Sequence, residues 1–296
     1  MPNQAHALPG LRDNDRLLLL GGSGWFGSAL REMLPSDLPL MATASRARGP
    51  FVRWDWQQVV DFAPTVVVDF ACLTSDHLSR LQEQEYLRIN SDLINQFARS
   101  AGLESVRAIL VASSGAAVQM PQTPYGQVKR AQEKLCTQLM SPTRSAVVAR
   151  AYSVSGPHVL APNAYAFSDF ILQARQGHVH VSAQRPTWRR YISAGDFLWV
   201  TSTLTLGGWS GVVDSGGPLI ELGNLAQRVV QVVNPAATIT RAALTVPTPS
   251  TYASDGTSWM HACELLDYHP WPLSNQIEHT AQGLDARDQG AGASQR

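Results

Sequence analysis

Lysine is almost missing from this chain. Of its 23 basic residues only Lys129 and Lys134 are lysine, and the rest are arginine. Charge as a whole is scarce: Asp, Glu, Lys and Arg make up 16% of the 296 residues, against about 25% in an average globular protein. The formal net charge is zero, so bulk electrostatics gives no hold on a nucleic acid or an anionic membrane. The three cysteines, Cys72, Cys136 and Cys263, are far apart and odd in number. They offer neither a disulfide framework nor metal-ligand spacing, and no metal is expected. No apolar run approaches the roughly 18 residues a membrane helix needs, and the polar opening from Met1 to Asp15 lacks a signal-peptide pattern. A soluble cytoplasmic protein is the expectation.

What the chain does have is apolar strand material punctuated by glycine. Hydrophobic residues reach 44%, enough for a sizeable core. The length suits one large α/β domain, or a principal domain with a smaller companion. The organising stretch runs from Arg16 through Leu17-Leu18-Leu19-Leu20 to Gly21-Gly22-Ser23-Gly24-Trp25-Phe26-Gly27. A short apolar run closed by glycines reads as a buried parallel strand, and Ser28 to Leu34 reads as a helix. Strand, glycine turn and helix form the phosphate-binding end of a dinucleotide fold, where the backbone approaches a pyrophosphate lying on the helix N-terminus. Two glycine registers fit, one starting at Gly22 and one at Gly21, each continuing through Gly24 and Gly27.

Further strands are expected at Pro39 to Ser45, Thr65 to Phe70, Val106 to Ser114 and Ala146 to Tyr152, with helices at Gln84–Ser100 and Tyr125–Leu139 between them. This alternation implies a doubly wound, Rossmann-type parallel sheet. Beyond Gly156-Pro157 it weakens, and a small C-terminal α/β subdomain for substrate is expected. Arg185 to Tyr191 reads as basic and irregular. The expected division is a loose tail over 1–14 and a nucleotide-binding domain over 15–157 with 195–235 adding to it. The subdomain takes 158–194 and 236–280, and a second flexible tail covers 281–296.

Where the second strand ends stand Ser45 and Arg46 rather than an acid. An acid there would bond the ribose 2′-OH of NAD, whereas a guanidinium suits the 2′-phosphate of NADP. The most informative feature is Tyr125-Gly126-Gln127-Val128-Lys129. Residues four apart share a helix face, and a nearby ammonium favours phenolate, as an acid–base tyrosine requires. Ser113 and Ser114 close the preceding strand, where a hydroxyl can polarise a carbonyl.

With these residues in place, the chain resembles the extended short-chain dehydrogenase/reductases, in their nucleotide-sugar epimerase/dehydratase branch, from about Arg16 to His279. Gly21 to Gly27, with Trp25 and Phe26, resembles the family's cofactor loop. Tyr125 and Lys129 resemble its catalytic pair, and Ser114 its catalytic hydroxyl. The resemblance implies that Asp55 lies near the adenine, that Phe70, Ala71 and Cys72 form the turn beneath the cofactor, and that Asn90 braces the central helices beside it. It also implies cofactor contact at Tyr152 and substrate contact at Thr74, Ser113, Ser153 and Arg189, the last on a nucleotide diphosphate. Gly115-Ala116 replaces the Asp-Glu pair of the family's sugar dehydratases, and Arg190 and Ser193 depart from its Arg-Asp-Tyr-Ile-His segment. The segment from Ser114 to Tyr125 is shorter than in typical epimerases.

The implied activity is reduction of a keto-sugar, linked to a nucleotide, with NADP as cofactor. An epimerase that keeps bound NAD is the first alternative, and a non-catalytic sensor of the dinucleotide the second. The partner implied is a small-molecule substrate, with a homodimer formed through the two central helices.

Overall fold

A computed structural model describes residues 8–293. In chain order the elements are β1 (Leu17–Leu20), α1 (Trp25–Arg31), β2 (Leu40–Thr43), β3 (Phe51–Val52), α2 (Trp56–Phe62), β4 (Val66–Asp69), α3 (Glu83–Ala101), β5 (Ala108–Ser114), α4 (Ala116–Gln119), α5 (Pro124–Gln138) and β6 (Ser145–Ala151). The remainder is β7 (Ser153–Ser155), α6 (Ala166–Arg175), β8 (His178–Val181), β9 (Thr187–Ser193), α7 (Ala194–Leu206), β10 (Gly211–Asp214), β11 (Leu219–Glu221), α8 (Leu222–Val233), β12 (Thr238–Arg241), β13 (Ser250–Tyr252), α9 (Thr257–Leu265) and α10 (Leu273–Ala293).

The chain divides into two compact units. The first takes the chain up to Ala151 together with Leu198–Asp214 and His261–Asp267. It holds a seven-stranded sheet in the order β10-β6-β5-β4-β1-β2-β3, parallel throughout. All four residues of β1 and of β4 are buried, as strands covered on both faces must be. Leu18, Leu20, Val67, Ile109, Val111, Ala146 and Val148 form one core layer with Val59 of α2, Phe97 of α3 and Cys136 of α5. The strand order reverses between β1 and β4, which is where a doubly wound sheet opens a crevice at its carboxyl edge. The doubly wound parallel sheet expected from the sequence is present.

The second unit takes Tyr152–Phe197, Ser215–Met260 and the chain from Tyr268 onward. Its centre is β9, which pairs with β11, β13 and β7. This corrects the reading of Arg185 to Tyr191 as irregular. Arg190 breaks the apolar alternation but spends its guanidinium on the carbonyls of Ser254 at 3.0 Å and Gly217 at 2.8 Å. A charged strand residue is thus satisfied inside the fold. Residues 215–235 also part from expectation: β11 pairs with β9 and α8 packs on α6, so they join the second unit.

Both expected tails need revision within the described residues. Leu8 is buried, the Gly10 carbonyl accepts from Arg107, and Asp15 binds the same guanidinium. The tail from Ala281 is helical, as α10 continues to Ala293, and Arg175 bonds the Ala281 carbonyl at 2.6 Å. Residues 1–7 and 294–296 of the two tails lie outside the described residues. Among those described, no helix is long and apolar enough to cross a membrane.

One ion pair carries a testable weight in the second unit. The carboxylate of Glu221, at the start of α8, accepts two 2.7 Å bonds from Arg241 of β12 and further bonds from the N–H groups of Gly223 and Thr187. Burial alone would raise its pKa, but the guanidinium and the two N–H donors outweigh that and hold it down at about 2. A depressed carboxyl stabilises the fold above its ordinary pKa of 4.5 and loses that contribution as the pH falls towards about 2. Arg241→Met is therefore expected to lower Tm at neutral pH and to flatten the acid loss of Tm through that window. Melting curves that match wild type from neutral to acid pH would remove the pair from this role.

Candidate active site

The site is built at the carboxyl edge of the seven-stranded sheet, around the β1–β4 reversal. After β1 the chain turns at Gly21, whose φ is +79°, a region L side chains rarely enter. A Cβ at Gly21 would stand 2.7 Å from the Ala71 nitrogen and 2.8 Å from the Phe70 carbonyl carbon. At Gly27 a Cβ would stand 2.6 Å from the carbonyl oxygens of both Gly21 and Gly22. Loop, helix and the turn after β4 are therefore in backbone contact, which selects the register Gly21, Gly24, Gly27. Gly24 donates to the Gly21 carbonyl at 3.1 Å. Phe26 sets its ring edge against Phe70 at 5.7 Å, with Trp25 alongside at 6.4 Å.

Glycines at 21, 24 and 27 ahead of a helix N-terminus make the kind of cradle that suits the pyrophosphate of a dinucleotide. Ser45 and Arg46 follow the end of β2, next to β1, and both are exposed. Asp55 caps α2 by accepting from the Gln58 N–H at 2.9 Å, an ordinary structural task. Asn90 is buried on α3, where it accepts from the Leu73 N–H at 2.9 Å and donates to the Tyr86 carbonyl at 3.1 Å. It braces the turn after β4 and is committed there. The Cys72 thiol donates to the Leu73 carbonyl at 3.2 Å. The Thr74 hydroxyl donates to Asp76 at the head of the short turn Ser75–Ser79.

Tyr125 and Lys129 stand one turn apart on α5. Thr123 caps that helix through the Gly126 N–H at 3.1 Å, and Pro124 fills its first position, both favoured N-terminal choices. Lys129 is 4% exposed, with its Nζ 5.8 Å from the centre of the Tyr125 ring. The ammonium donates to the Ala112 carbonyl of β5 and to Gln132 Oε1, each at 2.9 Å. Burial works against its charge, but Cys72, Tyr125 and Asp69 outweigh that and hold its pKa above the ordinary lysine value. Gln132 Nε2 in turn donates at 3.0 Å to Asp69, the last residue of β4.

The two serines ending β5 part company, because neighbouring residues of a strand face opposite sides of the sheet. Ser114 accepts from the Ala116 N–H at 3.2 Å. Ser113 donates to Glu133, which is clamped by Arg150 through two 2.7 Å bonds. Ser113 thus belongs to a polar brace between β5, α5 and β6.

Tyr152, Ser153 and Arg189 lie in the second unit. The Tyr152 N–H donates to Ser215 Oγ at 2.9 Å, and its ring meets that of Tyr252 at 5.2 Å. Arg189 donates to the Trp188 carbonyl at 2.8 Å and lies over the Tyr252 ring at 5.8 Å. Ser153 opens β7 and pairs with Tyr191 of β9. Sequence reasoning missed Tyr252, Gln132 and the role of Asp69. The signal available was an acid closing the run Val66-Val67-Val68.

No curated protein sequence matches the chain. In fold it is similar to UDP-glucose 4-epimerase from Brucella ovis in complex with NAD, at 18% identity and a TM-score of 0.71, covering 90% of this chain and 98% of that one. It is similar to dTDP-4-dehydrorhamnose reductase from Bacillus anthracis in complex with NADP, at 14% identity and a TM-score of 0.69, covering 90% and 98%. It is also similar to MoeE5 in complex with UDP-glucose and NAD, at 18% identity and a TM-score of 0.68, covering 92% and 99%. The model of the NAD dependent epimerase/dehydratase family matches residues 17–201. That span holds the glycine cradle, the β4 turn and the Tyr125–Lys129 pair, and the chain is therefore a nicotinamide-dependent enzyme belonging to the NAD dependent epimerase/dehydratase family.

Proposed function

We propose that this enzyme is a reductase of a keto-sugar carried on a nucleotide, with NADPH as the electron donor. The observation that carries the reading is Lys129, buried and held by two 2.9 Å bonds one helical turn from Tyr125. A fixed cation there favours the phenolate and so suits Tyr125 to proton transfer. Tyr125 passes its phenolic proton to the carbonyl oxygen of the substrate, and Ser114 orients that oxygen. Lys129 steadies the charge left on the phenol. Gly21, Gly24 and Gly27 would hold the pyrophosphate of the cofactor, and Ser45 with Arg46 the 2′-phosphate. When bound, the nicotinamide supplies hydride to the carbon whose oxygen takes the proton. Within the first unit Thr74 is proposed as a substrate contact; within the second, Ser153 and Arg189 are proposed as contacts of a nucleotide-sugar. A pair of chains meeting through α3 and α5 is part of the same proposal.

Reduction is favoured over epimerisation by the arginine after β2. Charge-assisted bonds to a phosphate contribute about 1.5–3 kcal/mol, or about ten- to hundredfold in affinity. Arg46→Ala is expected to weaken NADPH binding by that factor and to spare NADH, as read by titration of the purified protein. An equal loss for both dinucleotides would remove Arg46 from the 2′-phosphate. NADPH oxidation with nucleotide-linked keto-sugars tests the reaction itself. NAD that stays with the protein through purification would favour the epimerase reading, which the fold similarity to UDP-glucose 4-epimerase also allows.

A further inference from the structure

Lys129 is connected to a buried carboxylate by a single side-chain amide. We propose that Asp69, acting through Gln132, is a positioning residue for Lys129: it fixes the ammonium beside Tyr125 and keeps it charged. The proposal rests on the reading of Lys129 as the partner of Tyr125.

The polarity of the chain of contacts supports it. An ammonium only donates, an ionised carboxylate only accepts, and an amide does one at each end. Gln132 therefore has one orientation that satisfies both neighbours, with Oε1 on Lys129 Nζ at 2.9 Å and Nε2 on Asp69 Oδ2 at 3.0 Å. Reversed, it would set donor against donor and acceptor against acceptor. Water cannot substitute readily, as Asp69, Gln132 and Lys129 are 0%, 1% and 4% exposed. The other oxygen of Asp69 accepts from the Ala71 N–H at 3.0 Å, a task that one neutral acceptor would fulfil. A buried carboxylate is costly unless a cation and hydrogen bonds compensate it, and the cation facing Asp69 is Lys129.

The neighbours of Asp69 agree. Its paired positions on β1 and β5 are Leu20 and Val111. The turn after β4 brings Cys72, and α5 brings Lys129 and Cys136. Glu133, also on α5, is engaged by Arg150 and Ser113. Burial pushes the Asp69 carboxyl up to about 6, against the pull of Lys129 and the bonds from Ala71 and Gln132.

The scarcity of lysine supplies the experiment. Protein grown on lysine labelled with ¹³C at Cε gives two lysine side-chain signals, from buried Lys129 and exposed Lys134. The expected result is a step in the Lys129 signal near pH 6, where Asp69 titrates, with Lys134 flat through the same range. The step should vanish in Asp69→Asn, and Gln132→Met should lower kcat about tenfold by loosening Lys129. A Lys129 signal without a step in wild type overturns the proposal, whatever the variants do. Full turnover in folded Gln132→Met overturns it as well. The titration needs no dinucleotide or substrate. Failure of the Tyr125 reading, seen as turnover in Tyr125→Phe, is therefore a separate result that leaves the step in place.

Discussion

Tyr125→Phe is expected to lower kcat by about a hundred- to ten-thousandfold, the usual worth of a positioned general acid. Dinucleotide affinity should stay close to wild type. The substitution keeps the ring and removes one hydroxyl. The N-terminus of α5 is held by Thr123 and Pro124, neither of which depends on that hydroxyl. Lys129 keeps its bonds to Ala112 and Gln132. The loss should therefore fall on the proton-transfer step and leave the cradle intact. Steady-state turnover measured beside dinucleotide titration separates the two. A variant that turns over within tenfold of wild type would show that another group carries the proton.

Gly21→Ala should have the opposite signature, losing binding as well as turnover. The residue holds φ +79°, and its new methyl would enter the Phe70–Ala71 backbone at 2.7–2.8 Å. Left-handed backbone costs a non-glycine residue roughly 1–2 kcal/mol, and the backbone overlap adds to this because neither chain segment can yield independently. The loop must move away from the turn after β4, which displaces the N–H groups proposed to hold the pyrophosphate. Dinucleotide affinity is expected to fall at least about a hundredfold, with a lowered Tm. Crystals or titrations showing wild-type binding in a folded Gly21→Ala would mean that the loop does not cradle the cofactor.

Local patterns made much of this architecture legible in the sequence. The run Leu17 to Leu20 and the glycines after it encode strand, turn and helix within a dozen residues, and the four-residue spacing of Tyr125 and Lys129 fixes their common face. The Gly21 register was left open because the choice depends on the approach of Phe70 and Ala71, far along the chain. The Asp69–Gln132 bond was invisible for the same reason, since it joins residues 63 apart in sequence. β9 was hidden by Arg189 and Arg190, whose charges are absorbed by carbonyls and an aromatic ring supplied from distant segments. The resemblance already set Ser114 apart from Ser113 as the catalytic hydroxyl, whereas the bond from Ser113 to Glu133 depends on the packing of α5 against β5. The helix past Ala281 was missed because its glycine and polar content gives no amphipathic stripe.

The central claim is that the glycine cradle and the Tyr125–Lys129 pair serve one nicotinamide dinucleotide. Calorimetric titration of wild type and Tyr125→Phe with NADPH and NADH, beside turnover of the same samples, tests it most directly. The account expects both proteins to bind NADPH alike, with NADH weaker, and only wild type to turn over. Binding of neither dinucleotide by a protein that arrives without one, or equal turnover in the two, would contradict it.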